Sequence, residues 1–131
     1  MRGVAVGSVL VLALASTLAP AARAQLVEIN WSGGAFAHKA SVAPKQFLEV
    51  CGKLKKGENI GWQFTGSAPT DFNIHYHAGK DVVYPAKRAD VSTARDSFAV
   101  PLDQDYCWMW SNKGPQAVEV EVRLTQGSPA K

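Results

Sequence analysis

Over most of its length this chain alternates apolar and polar residues with a period of two, and no helical fold can use that pattern. Leu48 and Val50 alternate with Phe47, Glu49 and Cys51, and Ile60, Trp62 and Phe64 with Gly61, Gln63 and Thr65. Phe72, Ile74 and Tyr76 alternate with Asn73, His75 and His77, and Val118, Val120, Val122 and Leu124 with Glu119, Glu121 and Arg123. Successive side chains of a strand point to opposite faces, so these segments predict sheets with one apolar and one polar face.

Turn residues separate the runs. Lys56-Gly57-Glu58-Asn59, Gly66-Ser67-Ala68-Pro69, Ala78-Gly79-Lys80-Asp81 and Asn112-Lys113-Gly114-Pro115 each interrupt the alternation. Val82 to Pro85 and Ser97 to Val100 are shorter strand candidates, and the polar stretch Arg88 to Asp96 is expected as a loop or one helical turn. Val27, Ile29 and Trp31 allow a short first strand ended by Gly33-Gly34, whereas Ala35 to Pro44 shows no clear period. Seven or eight short strands without a long helix predict an all-β, antiparallel β-sandwich. The expected organisation is a signal peptide over 1–24, an N-terminal segment without assigned structure over 25–45, the sandwich over 46–125 and a disordered tail over 126–131.

The leader is read from Arg2, the apolar run Val4 to Leu18 and the small residues of Ala22-Arg23-Ala24, with cleavage before Gln25. About 15 apolar residues fall short of the ~20 that a spanning helix needs. The chain carries 14 Lys+Arg against 11 Asp+Glu, a formal charge of +3 with His neutral. The leader holds Arg2 and Arg23 and no acid, so its removal leaves 12 against 11, or +1. Lys53, Lys55 and Lys56, with Lys87 and Arg88, form clusters too small for a nucleic-acid or anionic-membrane surface and read as solvated turns. The product is expected to be exported, periplasmic in a bacterium and otherwise secreted or luminal, with no transmembrane segment after cleavage. Asn30-Trp31-Ser32 is a glycosylation sequon, meaningful only in a eukaryotic secretory pathway.

Cys51 and Cys107 are the only cysteines. Exported thiols oxidise, so one intramolecular disulfide is expected. Closing a loop of about 57 residues should restrict the unfolded chain by roughly 4 kcal/mol. A reactive thiol or a metal thiolate is the alternative, but the chain has no Cys-x-x-Cys and no obvious basic neighbour to lower a thiol pKa.

A strand ending in Cys51 is followed by Lys55-Lys56-Gly57, the strand Ile60 to Thr65, Asp71-Phe72-Asn73-Ile74, the turn Gly79-Lys80-Asp81-Val82, and Asp105-Tyr106-Cys107-Trp108 with Ser111-Asn112 just after. Over about Phe47 to Leu124 this order resembles the GOLD domain, the luminal sandwich of the emp24/p24 proteins. There an early Cys pairs with a late Cys that follows an aromatic residue and precedes an aromatic and an Asn. The resemblance implies a GOLD-like or jelly-roll-like sandwich, the Cys51–Cys107 bridge, and a domain type used for protein or lipid interaction. The coiled coil, membrane span and coat-binding tail of the p24 proteins have no counterpart up to Lys131, so cargo-receptor function is not implied.

One constellation carries possible chemistry. In His75-Tyr76-His77 the alternation puts both imidazoles on the face opposite the core, about 7 Å apart at Cα and at least partly exposed. Two such imidazoles are usable copper or zinc ligands. Met109, in Cys107-Trp108-Met109-Trp110, adds a thioether that suits copper, and His38 is a further candidate. An oxidised Cys107 could not join them as a thiolate. Asp71, four residues before His75, shares its face and is the candidate to orient an imidazole. Exposed-strand histidines are also common without metal, and Met109 also suits simple packing beside the bridge. No nucleophile elbow, phosphate loop, zinc-protease motif or paired acid set is present, and Asp103 and Asp105 read as turn residues. Tyr106, Trp108 and Trp110 form an aromatic row: Trp108 is expected in the core, and Trp110 is a candidate interaction surface.

Two functions follow as expectations: a non-catalytic interaction module whose partner is a protein or small ligand, not nucleic acid, or a periplasmic metal-binding protein handling copper through His75 and His77.

Overall fold

The computed structural model describes residues 24–127, together with Gly3, Ala15 and Ser16. The expected leader falls almost wholly outside the described residues, as do residues 128–131. Among the described residues every regular element is a strand: β1 (Gln25–Glu28), β2 (Ala35–Val42), β3 (Phe47–Leu54), β4 (Asn59–Ala78), β5 (Asp81–Ala99), β6 (Gln104–Ser111) and β7 (Val118–Gly127). No helix among them is long and apolar enough to cross a membrane.

The strands run in the order β1-β3-β6-β4-β7-β2, with β5 beside β4. All pairings are antiparallel except β1 with β3, which is parallel. β4 serves both layers of the sandwich. Its first part, Asn59 to Gly66, pairs with β7, and its later part, Asp71 to His75, pairs with β6. β5 follows β4 along nearly its whole length. The outer strands almost close the sheet, and the Gln25 side-chain amide donates to Ser41 O at 2.7 Å.

The alternating apolar rows face one another across the middle. Leu48, Val50, Phe72, Ile74, Tyr106, Trp108 and Trp110 from one layer meet Ile60, Trp62, Phe64 and the Val118–Leu124 row from the other, all buried. Each such side chain removed from water contributes about 1.5–3 kcal/mol before entropy is counted. Trp110 is wholly buried, with its ring 5.5 Å from Phe64 and 5.5 Å from Phe72. Trp110 as a candidate interaction surface is therefore corrected: it shares the inward face with Tyr106 and Trp108, and a two-layer sandwich seals that face. Tyr106 closes the corner before β6, its hydroxyl donating to Leu102 O at 2.7 Å.

Four further expectations are corrected. Gly66-Ser67-Ala68-Pro69 does not end a strand; β4 continues through it with shifted register, bending from one layer to the other. Arg88 to Asp96 is neither loop nor helical turn but part of β5, and it lacks a period because this edge strand is mostly exposed. The short first strand allowed within 25–45 forms as β1 but ends at Glu28, and Ala35 to Pro44, which shows no clear period, holds β2, where Phe36, His38, Ala40 and Val42 point inward opposite β7. Gln126 and Gly127 belong to β7, opposite Ile60 and Asn59, rather than to a tail. The turn at Gly79-Lys80 is a two-residue hairpin connection with glycine first, at φ 63°, the left-handed position where such turns favour glycine.

Asn112 joins the layers at one end. It is buried, its amide nitrogen donates to Val42 O (3.0 Å) and Gln116 O (2.7 Å), and its amide oxygen accepts from Gly114 N (2.9 Å).

Candidate functional site

Cys51 and Cys107 lie directly opposite each other on β3 and β6 and are joined by a disulfide, with Cα atoms 4.1 Å apart. The bridge lies on the outer face of its layer, the face turned away from the core. The same face carries Glu49 beside Cys51 on β3, Met109 beside Cys107 on β6, and Asn73, His75 and His77 on β4. The ladder sets His75 opposite Cys107, and Met109 between Glu49 and Asn73. A bridged pair is thus flanked by a carboxylate, a thioether and two imidazoles, all from three adjacent strands.

His75 lies deeper than the alternation suggests. It is only 4% exposed although it faces outward. Tyr84 from β5 covers it with ring centroids 5.9 Å apart, His77 stands edge-on at 5.4 Å, and Glu49 borders the other side. His77 itself is exposed. The expectation of two exposed imidazoles therefore holds for His77 and is corrected for His75.

The imidazole of His75 has a defined tautomer. Its Nδ1 is 2.7 Å from the Asn73 amide oxygen, which can only accept, so Nδ1 carries the proton and donates. Its Nε2 faces the Glu49 carboxylate at 3.5 Å. Burial, the larger influence, pushes the His75 pKa below its ordinary 6.5; Glu49 pulls it back up, and His77 pushes it down further. Neutral His75 therefore sets a lone pair against a carboxylate oxygen, and a cation or a donor group placed between them would satisfy both.

Asp71 does not orient either histidine. It pairs with Lys113 and accepts from Asp90 N at 3.0 Å, and these contacts, Lys113 first, hold its carboxyl below the usual range. Asn73 and Glu49 take the positions beside His75 instead. Asn73 was readable as a same-face neighbour two residues away, whereas Glu49 becomes a neighbour only through the β3–β6–β4 register. His38 is not brought to the patch: it faces inward on β2, stacked at 6.4 Å on Phe36 and opposite Val122. Among the described residues one trio of potential metal ligands converges, namely Glu49, Cys51 and Cys107, whose ligand atoms lie within 4.8 Å of one another. Asp103 accepts from Lys56 N at 2.8 Å, which fits its reading as a turn residue.

No family model matches the chain, and no curated protein matches it. Solved structures do match in fold. PliG of Aeromonas hydrophila, a periplasmic inhibitor of g-type lysozyme, is 14% identical, with 80% of this chain and 98% of PliG covered at a TM-score of 0.61. The pre-peptidase C-terminal domain of a Bacillus anthracis collagenase is 12% identical, covering 79% of this chain and 95% of that one at 0.57. CorA of Methylomicrobium album BG8, a surface-associated copper-binding protein, is 9% identical, covering 80% and 99% at 0.53. At these identities the likeness concerns the fold alone. It is a likeness to whole domains, since nearly all of each neighbour is covered.

Proposed function

We propose that this chain is an exported, non-catalytic binding module, and that it binds on the outer face of β3, β6 and the later part of β4. The observation that carries this reading is His75, an outward side chain sealed by its neighbours with Nε2 set against Glu49. Such a pair of facing acceptors is a receptor for a cation or a strong hydrogen-bond donor. The Cys51–Cys107 bridge supports export, since disulfides persist in oxidising compartments. The periplasmic inhibitors and the pre-peptidase domain of the same fold support a binding role rather than a catalytic one.

Within that reading copper is the favoured ligand. His75 Nε2 and His77 supply imidazole, Met109 stands two residues from Cys107 on the same face, and the mixture of imidazole and thioether suits copper. The copper-binding protein among the fold neighbours supports this choice. Titrating the oxidised protein with Cu(II) and Cu(I), followed through its imidazole NMR resonances, should perturb His75 and His77 and leave His38 unmoved. The double variant His75→Asn/His77→Asn should lose at least tenfold in affinity. Unchanged copper affinity in that variant would remove copper from this site.

A further inference from the structure

We propose that reduction of the Cys51–Cys107 bridge opens a zinc site built from both cysteine sulfurs, His75 Nε2 and the Glu49 carboxylate. The site goes beyond the copper reading, because it uses two ligands that the oxidised protein does not offer.

Three of the four groups already converge, and the fourth, His75, meets them through Glu49. Glu49, Cys51 and Cys107 bring their ligand atoms within 4.8 Å of one another. His75 is opposite Cys107 in the ladder, with Nε2 3.5 Å from Glu49 Oε1. Zinc holds nitrogen and oxygen at about 2.1 Å, which sets two such atoms at tetrahedral positions about 3.4 Å apart. The imidazole and carboxylate therefore stand close to that separation. The sulfurs, at about 2.3 Å from zinc, would need a separation of roughly 3.7 Å, reached by side-chain rotation once the bond between them is broken. Asn73 holds the Nδ1–H of His75, which keeps Nε2 free as the ligand atom, the supporting bond that metal-bound histidines ordinarily have. Two thiolates with one imidazole and one carboxylate suit zinc better than copper(I), which favours sulfur over oxygen.

The reducing step balances with a dithiol as reductant. One of its thiolates attacks a sulfur of the bridge, the Cys51–Cys107 bond breaks, and a mixed disulfide forms. The second dithiol sulfur then displaces the remaining cysteine, so the dithiol leaves as its own disulfide after giving up two electrons and two protons. Zinc binding subsequently releases the two thiol protons to solvent as the thiolates coordinate.

The test uses the mature chain reduced anaerobically with a small dithiol, freed of excess reductant, and titrated with Zn(II) against a chromogenic chelator. Co(II) serves as a spectroscopic stand-in. One equivalent should bind, with the d–d bands of tetrahedral Co(II) and a thiolate-to-metal charge-transfer band, and with release of about two protons per zinc. Cys51→Ser/Cys107→Ser should abolish both bands. Glu49→Gln and His75→Asn should each weaken zinc at least tenfold while keeping the charge-transfer band, so the result does not depend on the serine variant alone. Near-UV circular dichroism follows the fold, and a reduced chain that loosens should regain its signal on zinc addition. Equal zinc affinity in the oxidised protein, a cobalt spectrum without thiolate bands, or a reduced chain that zinc neither binds nor restores would each overturn the proposal. The two metal readings fail separately: the serine variant should lose zinc yet keep copper binding at His75 and His77.

Discussion

A histidine that is buried and neutral works against the fold once the solution becomes acidic. The unfolded chain takes up a proton on His75 near its ordinary pKa of 6.5, whereas burial lowers that pKa in the folded protein. Between those two values the unfolded state binds more protons, so stability is complete above about pH 6.5 and falls as the pH drops toward the lowered value. Asp71, held low chiefly by Lys113, adds a separate loss at more acidic pH, below its ordinary 3.8. Urea midpoints at pH 7.5 and pH 5.0 should therefore differ in the wild type, and His75→Asn should flatten the difference. A variant with the full wild-type pH dependence would show that another group titrates. Part of this site was legible in the sequence. The period of two put His75 and His77 on one face, with Asn73 and Met109 available to it. The burial of His75 was not legible, because Tyr84 and Glu49 reach it from strands whose register no local pattern encodes.

Among the elements, β4 decides how the two layers connect. Glycine and proline at Gly66 and Pro69 are strong signals for a turn, yet the same residues permit a strand to bend and shift register without ending. That ambiguity explains why two short strands were expected where one long strand crosses from β7 to β6. At the bend Gly66 has little room, since a Cβ there would stand 2.9 Å from the backbone oxygen of Ala68 and 3.4 Å from that of Ser92. Backbone atoms cannot swing aside as a side-chain end can. Gly66→Ala should therefore cost about 1–3 kcal/mol, the usual range for forcing extra volume into a packed site, read as a lower urea midpoint with unchanged slope. A midpoint equal to wild type would mean that the bend relaxes freely. β2 and the middle of β5 escaped the sequence reading for different reasons. Alanines on both faces of β2 blur its alternation, and β5 buries so little that selection for burial leaves no period. The parallel pairing of β1 with β3 was equally hidden, because a four-residue strand carries no mark of its direction.

At the scale of the whole molecule, the fold class and the core were the most legible features. Every alternating row from Leu48 onward supplies buried residues, because burial in two facing layers is what maintains such a period. Cys51 and Cys107 are 56 residues apart in sequence and adjacent in the sheet, and the whole β4–β5 hairpin lies between them in the chain. The β3–β6 ladder also pairs the two strands along Phe47 to Leu54 independently of the sulfurs' own bond. The main effect of the bridge should thus fall on the unfolded chain, which it keeps from expanding. Cys51→Ser/Cys107→Ser should lower stability by roughly 4 kcal/mol, a large share of the 5–15 kcal/mol typical of one domain. The same variant should show a steeper dependence on urea, because an unbridged unfolded chain exposes more surface. A loss of similar size with an unchanged slope would instead assign the effect to packing around the sulfurs in the folded protein. A loss below about 1 kcal/mol would show that the unfolded chain stays compact without the bridge.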